Sequence, residues 1–143
     1  TGSGSARRPF GDEATIADNA GFEFNWALCD GFELGGWFGA TWASPAEGSG
    51  DATILNGAVT LAFPDLFKEG SLGGIVVDVP PKLTDVDGAE GEDDTSLHIE
   101  AFYRLQLNDN IAITPGLFVI TNPDHNATND TVWVTVLRTQ FRF

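Results

Sequence analysis

Two ionisable side chains stand two residues apart in an alternating stretch of the chain. His98 and Glu100 would lie on the same face of a strand, where an imidazole and a carboxylate can act as an acid–base pair. No nucleophile, metal-binding or phosphate-binding motif accompanies them, and the second histidine is the distant His125. We therefore expect no catalytic residues, no metal ligands and no cofactor, and a chain that is not an enzyme.

Carboxylates are concentrated in residues 85–94, which hold six Asp and Glu side chains. Such a cluster could concentrate cations or bind Ca²⁺ weakly, although its spacing does not match an EF-hand loop. The alternative is a solvated, mobile loop. The single cysteine, Cys29, cannot form an internal disulfide, and we expect it to be a small strand residue.

Composition narrows the class of protein. A net charge of -14 with only seven Lys and Arg excludes a nucleic-acid-binding surface, which needs clustered cations. Seventeen glycines, eleven phenylalanines and no methionine favour strands and turns, so we predict an all-β chain. The mean hydropathy of -0.05 fits membrane-spanning strands, in which every second residue is apolar, and it fits soluble β proteins too.

Alternating side chains predict seven strands. Residues 1–20 show neither a two-residue nor a 3.6-residue apolar period and are predicted to be a loop or a truncated end, so the strands lie within residues 21–143. Asp30-Gly31 predicts a two-residue type I′ hairpin turn. The predicted strands cover residues 21–29, 32–42, 52–63, 72–79, 96–107, 111–120 and 131–143.

Connection lengths indicate how these strands are arranged. They are short at 30–31 and 108–110 but longer at 44–50, 81–94 and 122–130, as in up-and-down outer-membrane barrels; the connection at 64–70 fits this alternation less well. An odd number of strands cannot close such a barrel, so we expect a part of a larger one. Aromatic residues near strand ends are typical of interfacial girdles: Phe32, Trp42, Phe63, Trp133, Phe141 and Phe143.

Several sequence blocks carry a resemblance to a known family. They are AVTLAFPD at 58–65, TSLHIEAFY at 95–103, NIAITPG at 110–116, NPDHN at 122–126 and LRTQFRF at 137–143. In this order they resemble the C-terminal part of cyanobacterial porins related to the carbohydrate-selective OprB porins.

The resemblance implies an antiparallel, up-and-down transmembrane β-barrel of about sixteen strands. It further implies a location in the bacterial outer membrane, a homotrimer, and passive diffusion of small solutes and inorganic ions, with carbohydrates as further candidate solutes. This chain would supply the last seven strands, and its partners would be outer-membrane lipid and the N-terminal strands of the same barrel.

If the apolar faces meet lipid, the opposite side chains point into the lumen. We hypothesise that Arg104, Arg138 and Arg142 form a basic wall in an otherwise acidic channel. The predicted lumen-facing residues are Glu23, Asn25, Glu33, Asp78, His98, Glu100, Arg104, Gln106, Arg138 and Arg142.

The end of the chain resembles the signal by which the barrel-assembly machinery recognises its substrates. Leu137, Phe141 and Phe143 share one face of the last strand, although an ordinary edge strand can also end in Phe.

The main alternative to a porin is a soluble β-sandwich or lipocalin-like binding domain, because alternation alone does not decide whether lipid or a protein core meets the apolar face. That fold would bury Phe24, Trp26, Ile99 and Tyr103 in one core.

Overall fold

Seven long strands follow one another along the chain and pair antiparallel in that same order. The computed structural model describes residues 2–87 and 89–143, and the side chains of residues 89 and 90 lie outside that description. The strands are β1 (Thr15–Cys29), β2 (Phe32–Pro45), β3 (Ala52–Pro64), β4 (Leu72–Val86), β5 (Ala89–Glu90), β6 (Leu97–Asn108), β7 (Ile111–Thr121) and β8 (Val132–Phe141). A four-residue helix, α1 (Gly4–Arg7), precedes them, and a 3-10 turn (Pro123–His125) lies between β7 and β8.

The predicted all-β, up-and-down architecture is confirmed. The sheet has the order β1-β2-β3-β4-β6-β7-β8, and the two-residue β5 pairs with β4 beside this path. The sheet is not closed, so β1 and β8 are its two edges.

Two strands are much longer than the sequence predicts. β1 begins at Thr15 rather than at residue 21, because residues 15–20 pair with the end of β2, from Thr15 with Pro45 to Ala20 with Ala40. β4 continues beyond residue 79 to Val86, and its pairing with β3 is irregular around Pro80 and Pro81. Prolines cannot donate to the ladder, and this irregularity lets the strand continue past them.

The turn at residues 30–31 reverses the chain as predicted, but it is not type I′. Gly31 has a φ of 81°, whereas Asp30 is not among the residues with positive φ. A type I′ turn needs positive φ at both positions. The pairing of β1 with β2 shifts between Ala27 and Cys29, and this bulge accommodates the different turn.

The connection between β3 and β4 is longer than a tight turn but is folded on itself. A carboxylate oxygen of Asp65 accepts the N–H of Gly70 at 2.6 Å, and the N–H of Asp65 donates to the carbonyl of Ser71 at 2.8 Å. Tyr103 on β6 donates its hydroxyl to the carbonyl of Leu66 at 2.7 Å. We call the end of the sheet with connections 30–31, 65–71 and 109–110 the short-turn end, and the opposite end, with 46–51, 87–96 and 122–131, the long-loop end.

The hydrophobic core of the described residues is small. Ala43, Ala52, Ile54 and Leu83 form a buried cluster near the long-loop end, and Ala6, Phe10 and Val86 pack against it. Many large apolar side chains lie elsewhere and are exposed. The sheet therefore does not have the buried apolar layer that a soluble sandwich requires.

Candidate functional site

Strand register divides the sheet into two chemically different faces. Residues paired across strands point to the same side, so one row of partners fixes a face. Along one row, Trp37 pairs with Ala58, Ala58 with Asp78, and Asp78 with His98. We call the face of Asp78 and His98 the inner face and the face of Val77 and Ile99 the outer face.

The inner face carries the polar positions that the sequence groups together. Glu23 pairs with Trp37, Asn25 with Gly35, and Glu33 with Ala27, all on this face. On the other half of the sheet, strand alternation and pairing place these residues on the same face: Asp78, His98, Glu100, Arg104, Gln106 and Arg138. Arg142 lies just past the end of β8, where it lines a small recess together with Arg104 and Gln106.

The sheet curls towards its inner face. One cavity of about 640 Å³ is lined both by Trp37 of β2 and by Arg138 of β8. Since neighbouring strands lie about 4.8 Å apart, strands so distant in the sheet can border one cavity only if the sheet is strongly curved. The cavity brings together Asp78, His98, Glu100 and Arg138, whereas Glu23, Asn25 and Glu33 do not line it.

His98 is hydrogen-bonded to Asp78 in the wall of this cavity. The Nδ1 atom of His98 lies 3.1 Å from a carboxylate oxygen of Asp78, and its ring meets that of Phe118 edge-on at 5.1 Å between centroids. The sequence pattern paired His98 with Glu100, but the hydrogen-bonded carboxylate belongs to the neighbouring strand. Among the described residues, the other carboxylate oxygen of Asp78 and the Nε2 atom of His98 are buried without a hydrogen-bond partner.

Basic side chains are grouped towards the short-turn end of the inner face. Arg138 of β8 pairs with Thr114 of β7, and Arg104 of β6 pairs with Leu72 of β4. One Nη atom of Arg104 donates to the side-chain oxygen of Gln106 at 3.1 Å. Lys68, in the turn at the same end, donates to the carbonyls of Gln106 and Leu107.

Carboxylates are grouped at the long-loop end, where several of them hold the loops together. Asp87 accepts the N–H of Asp51 at 3.2 Å, and Glu92 accepts that of Leu83 at 2.8 Å. Asp94 accepts the N–H of Ala127 in the next loop at 2.7 Å. Within residues 2–87 and 89–143 no group of three metal-ligating side chains is found, and the side chain of Glu90, part of the predicted acidic cluster, lies outside the described residues.

His125 fastens the long loop 122–131 to the sheet. Its Nδ1 atom accepts the N–H of Ser96 at 2.9 Å, so its Nε2 carries the hydrogen and donates to the carbonyl of Pro81 at 3.2 Å. The ring is buried. The backbone reaches this position through positive φ at Asn122, Asp124 and His125.

The outer face is apolar and exposed. Phe22 is 67% exposed, Trp26 64% and Leu137 72%. Leu137 and Phe141, two of the predicted assembly-signal residues, lie on this face, and the third, Phe143, is exposed beyond the end of β8. Other exposed residues of the same face are Ile16, Phe24, Phe38, Trp42, Val59, Ile75, Val77, Ile99, Leu107, Leu117 and Trp133.

Cys29, which was predicted to be a small strand residue, is the last residue of β1 and is an exposed free thiol. No helix within the described part of the chain is both long and apolar enough to span a membrane.

Comparison with known proteins identifies the family of the chain. The profile of the carbohydrate-selective porin, OprB family matches residues 8–143. The chain belongs to the OprB family. The resemblance seen in the sequence blocks is thereby confirmed, and membership in the OprB family implies a membrane location.

Two cyanobacterial relatives share this region. The uncharacterized protein sll0772 of Synechocystis sp. is 37% identical over 165 residues, which cover 100% of this chain and 30% of the relative. The uncharacterized protein alr4550 of Nostoc sp. is 33% identical over 93 residues, covering 65% of this chain and 16% of the relative. The chain thus spans less than a third of either relative. No solved structure gives a significant match.

The lumen-facing residues predicted from the sequence do not include the aromatic residues of the inner face. Trp37 is 42% exposed and lines the cavity, and Phe102 and Phe118 line it from β6 and β7. The signal was present in the alternation, because Trp37 lies an even number of residues from Glu33 and therefore shares its face.

Proposed function

We propose that the chain forms the last seven strands of an outer-membrane porin. Its water-filled channel passes small solutes and inorganic ions by passive diffusion, with carbohydrates among the solutes. The observation that carries this proposal is the division of one curved sheet into an exposed apolar outer face and an ionisable inner face.

The outer face supports lipid as its surroundings. Burying apolar surface is worth about 25 cal/mol per Å², so leaving many aromatic and aliphatic side chains in water is unfavourable. An apolar surface that extends over all seven strands is also larger than the patches that soluble monomers usually expose. A soluble sandwich would bury Trp26, which is instead largely exposed on the outer face.

The inner face supports a water-filled interior. Charged side chains need water or partners, and a wall that carries Glu100 and Arg138 on one cavity provides sites of both signs. The three arginines near the short-turn end favour anions there, while the carboxylates of the long-loop end favour cations at that mouth. An ion crossing the channel would meet both zones in succession.

The two open edges support further strands as partners. The outward backbone groups of β1 and β8 would be unsatisfied in hydrocarbon, which only a closed barrel avoids. We propose that the N-terminal strands of the same polypeptide close the barrel, that the barrel-assembly machinery binds the C-terminal strand at Leu137, Phe141 and Phe143, and that the product is a homotrimer in the bacterial outer membrane.

Trp37 supports carbohydrate as one class of solute. Its ring presents an apolar surface of about one sugar ring's size in a cavity that also holds Asp78, Glu100 and Arg138. Sugars have apolar ring faces and polar edges, and both kinds of contact are offered here. The family description, carbohydrate-selective porin, agrees with this choice.

The test is to extract the native polypeptide from outer membranes with detergent. We expect a species much larger than 15.3 kDa whose gel mobility changes on heating and which forms conducting channels in planar lipid bilayers. A water-soluble 15.3 kDa species that forms no channels would overturn the proposal in favour of an independent β domain.

A further inference from the structure

We propose that residues 2–13, the segment before β1, fold into the channel and narrow it at the long-loop end. This inference rests on the proposed channel function but concerns a part of the chain that the function does not require. We call residues 2–13 the inner segment.

The inner segment packs on the inner face of the sheet. Ala6 and Phe10 contact the cluster of Ala43, Ala52, Ile54 and Leu83. Ala43 lies on β2 an even number of residues from Trp37, so both side chains are on the same face, and Ala43 pairs with Ala52 of β3. The cluster therefore belongs to the face that borders the cavity. The cluster is the largest group of buried apolar side chains among the described residues, and Ala6 and Phe10 of the segment cover it together with Val86 of β4.

Backbone hydrogen bonds hold the start of the segment. Ser3 donates its N–H to the carbonyl of Pro81 at 3.2 Å, and its hydroxyl accepts the N–H of Ala6 at 2.9 Å, which caps α1. Gly4 donates its N–H to a carboxylate oxygen of Asp124 at 2.7 Å. Ser3 is only 1% exposed, so its two hydrogen bonds lie in a packed part of the structure, whereas the bond between Gly4 and Asp124 is exposed.

Gly2 shows how closely the segment approaches the wall. Its φ is 57°, and a Cβ added there would lie 2.8 Å from the Cβ of Pro81. A side chain at this position would meet both a steric clash and an unfavourable backbone conformation. The close approach therefore depends on glycine.

The opposite side of the segment is polar and exposed. Arg7 and Arg8 are exposed, and Arg8 lies 3.0 Å from Asp12 in an exposed ion pair. A helical turn with its side chains is about 10 Å across, which is a large part of the bore of a porin. The segment thus narrows the passage and places two guanidinium groups near the acidic loops.

The position of the segment is tested in the full-length protein from outer membranes, in a Cys29→Ser background. Ile54→Cys lies beneath the segment and is expected to be protected from a water-soluble maleimide, whereas Trp37→Cys on the same face is expected to react. Full reaction of Ile54→Cys would overturn the proposal, because the segment would not cover the wall.

The effect on permeation is tested in planar bilayers. Gly2→Val with Phe10→Ala is expected to release the segment, to expose Ile54→Cys and to raise single-channel conductance about twofold, as for a widened constriction. The control Phe67→Ala, at the short-turn end, is expected to change neither. Exposure of Ile54→Cys with unchanged conductance would overturn the proposal.

A second variant keeps the test decisive if the released protein does not assemble. Arg7→Gln with Arg8→Gln alters exposed residues only and is expected to shift ion selectivity towards cations. Unchanged selectivity would contradict a place for the segment in the channel. Absence of channels in the unaltered protein would instead defeat the proposed function, while the protection of Ile54→Cys would still report where the segment lies.

Discussion

The carbonyl oxygen of Pro81 accepts the N–H of Ser3 at 3.2 Å, which joins the segment before β1 to a central strand of the sheet. The same oxygen accepts the Nε2–H of His125 from the loop before β8, also at 3.2 Å. Beyond Asp78, β4 is no longer paired with β6, so this carbonyl is available to both. A proline pair that would ordinarily end a strand thus connects three distant parts of the chain.

We predict that His125→Ala destabilises the long-loop end. The buried N–H of Ser96 would lose its acceptor, and an unsatisfied buried group costs about 1–3 kcal/mol. The free energy of unfolding, measured in detergent by urea titration, should fall by that amount. The control Asp130→Asn, in the same loop but exposed, should change it little. Equal stability of His125→Ala and the control would show that the two hydrogen bonds contribute nothing.

Strand positions were predictable wherever the alternation is strong within one segment. β6 alternates along its whole length, and its predicted range, 96–107, differs from Leu97–Asn108 by one residue at each end. The start of β1 was not predictable, because Asp18 and Asn19 interrupt the apolar pattern and the strand is fixed there by its pairing with β2. Local sequence does not contain that long-range information.

The sequence predicts on which face of the sheet each candidate side chain lies, but it does not predict which side chains are in contact. Alternation sufficed to group the arginines of β6 and β8, because a strand has a strict two-residue period. It did not show that His98 bonds Asp78, since cross-strand partners depend on register. The role of His125 was also hidden, because it arises from a loop with left-handed residues that no periodicity describes.

We predict that replacing Arg104, Arg138 and Arg142 together with Gln shifts the channel towards cations. Gln keeps similar length and removes three positive charges from the inner face. The anion-to-cation permeability ratio, obtained from the reversal potential in a salt gradient, should fall by roughly two- to threefold. An unchanged ratio would contradict the basic wall. Asp78→Asn on the same face is the control of opposite sign and should shift the ratio the other way.

We predict that Trp37→Ala weakens the interaction of sugars with the channel. A contact of aromatic size is worth about 1 kcal/mol, which corresponds to about fivefold in affinity. The sugar concentration that half-blocks the ion current should rise accordingly. Trp42→Ala is a matched control on the same strand, because Trp42 is 51% exposed on the outer face. Equal effects of the two substitutions would refute a specific role for the inner face.

We predict that Phe143→Ala lowers the amount of protein assembled in the outer membrane several-fold. The terminal ring is exposed beyond β8 and makes no contribution to a buried core. Its loss should therefore affect recognition during assembly more than stability. Gln140→Ala, on the inner face of β8, is the control. The heat-modifiable fraction in membrane extracts measures the outcome, and normal assembly of Phe143→Ala would rule out the signal.

The adjacent residues Val76 and Val77 provide the most direct test of the central claim that the outer face meets lipid. They are identical in type, but Val76 pairs with Glu100 on the inner face and Val77 with Ile99 on the outer face. A nitroxide label is attached at each position in turn in the full-length protein, in a Cys29→Ser background, and collision with oxygen and with a polar nickel chelate is measured in lipid vesicles. We predict that the label at 77 collides mainly with oxygen, which concentrates in lipid, and the label at 76 mainly with the nickel chelate. Preferential collision of the label at 77 with the nickel chelate would contradict the account.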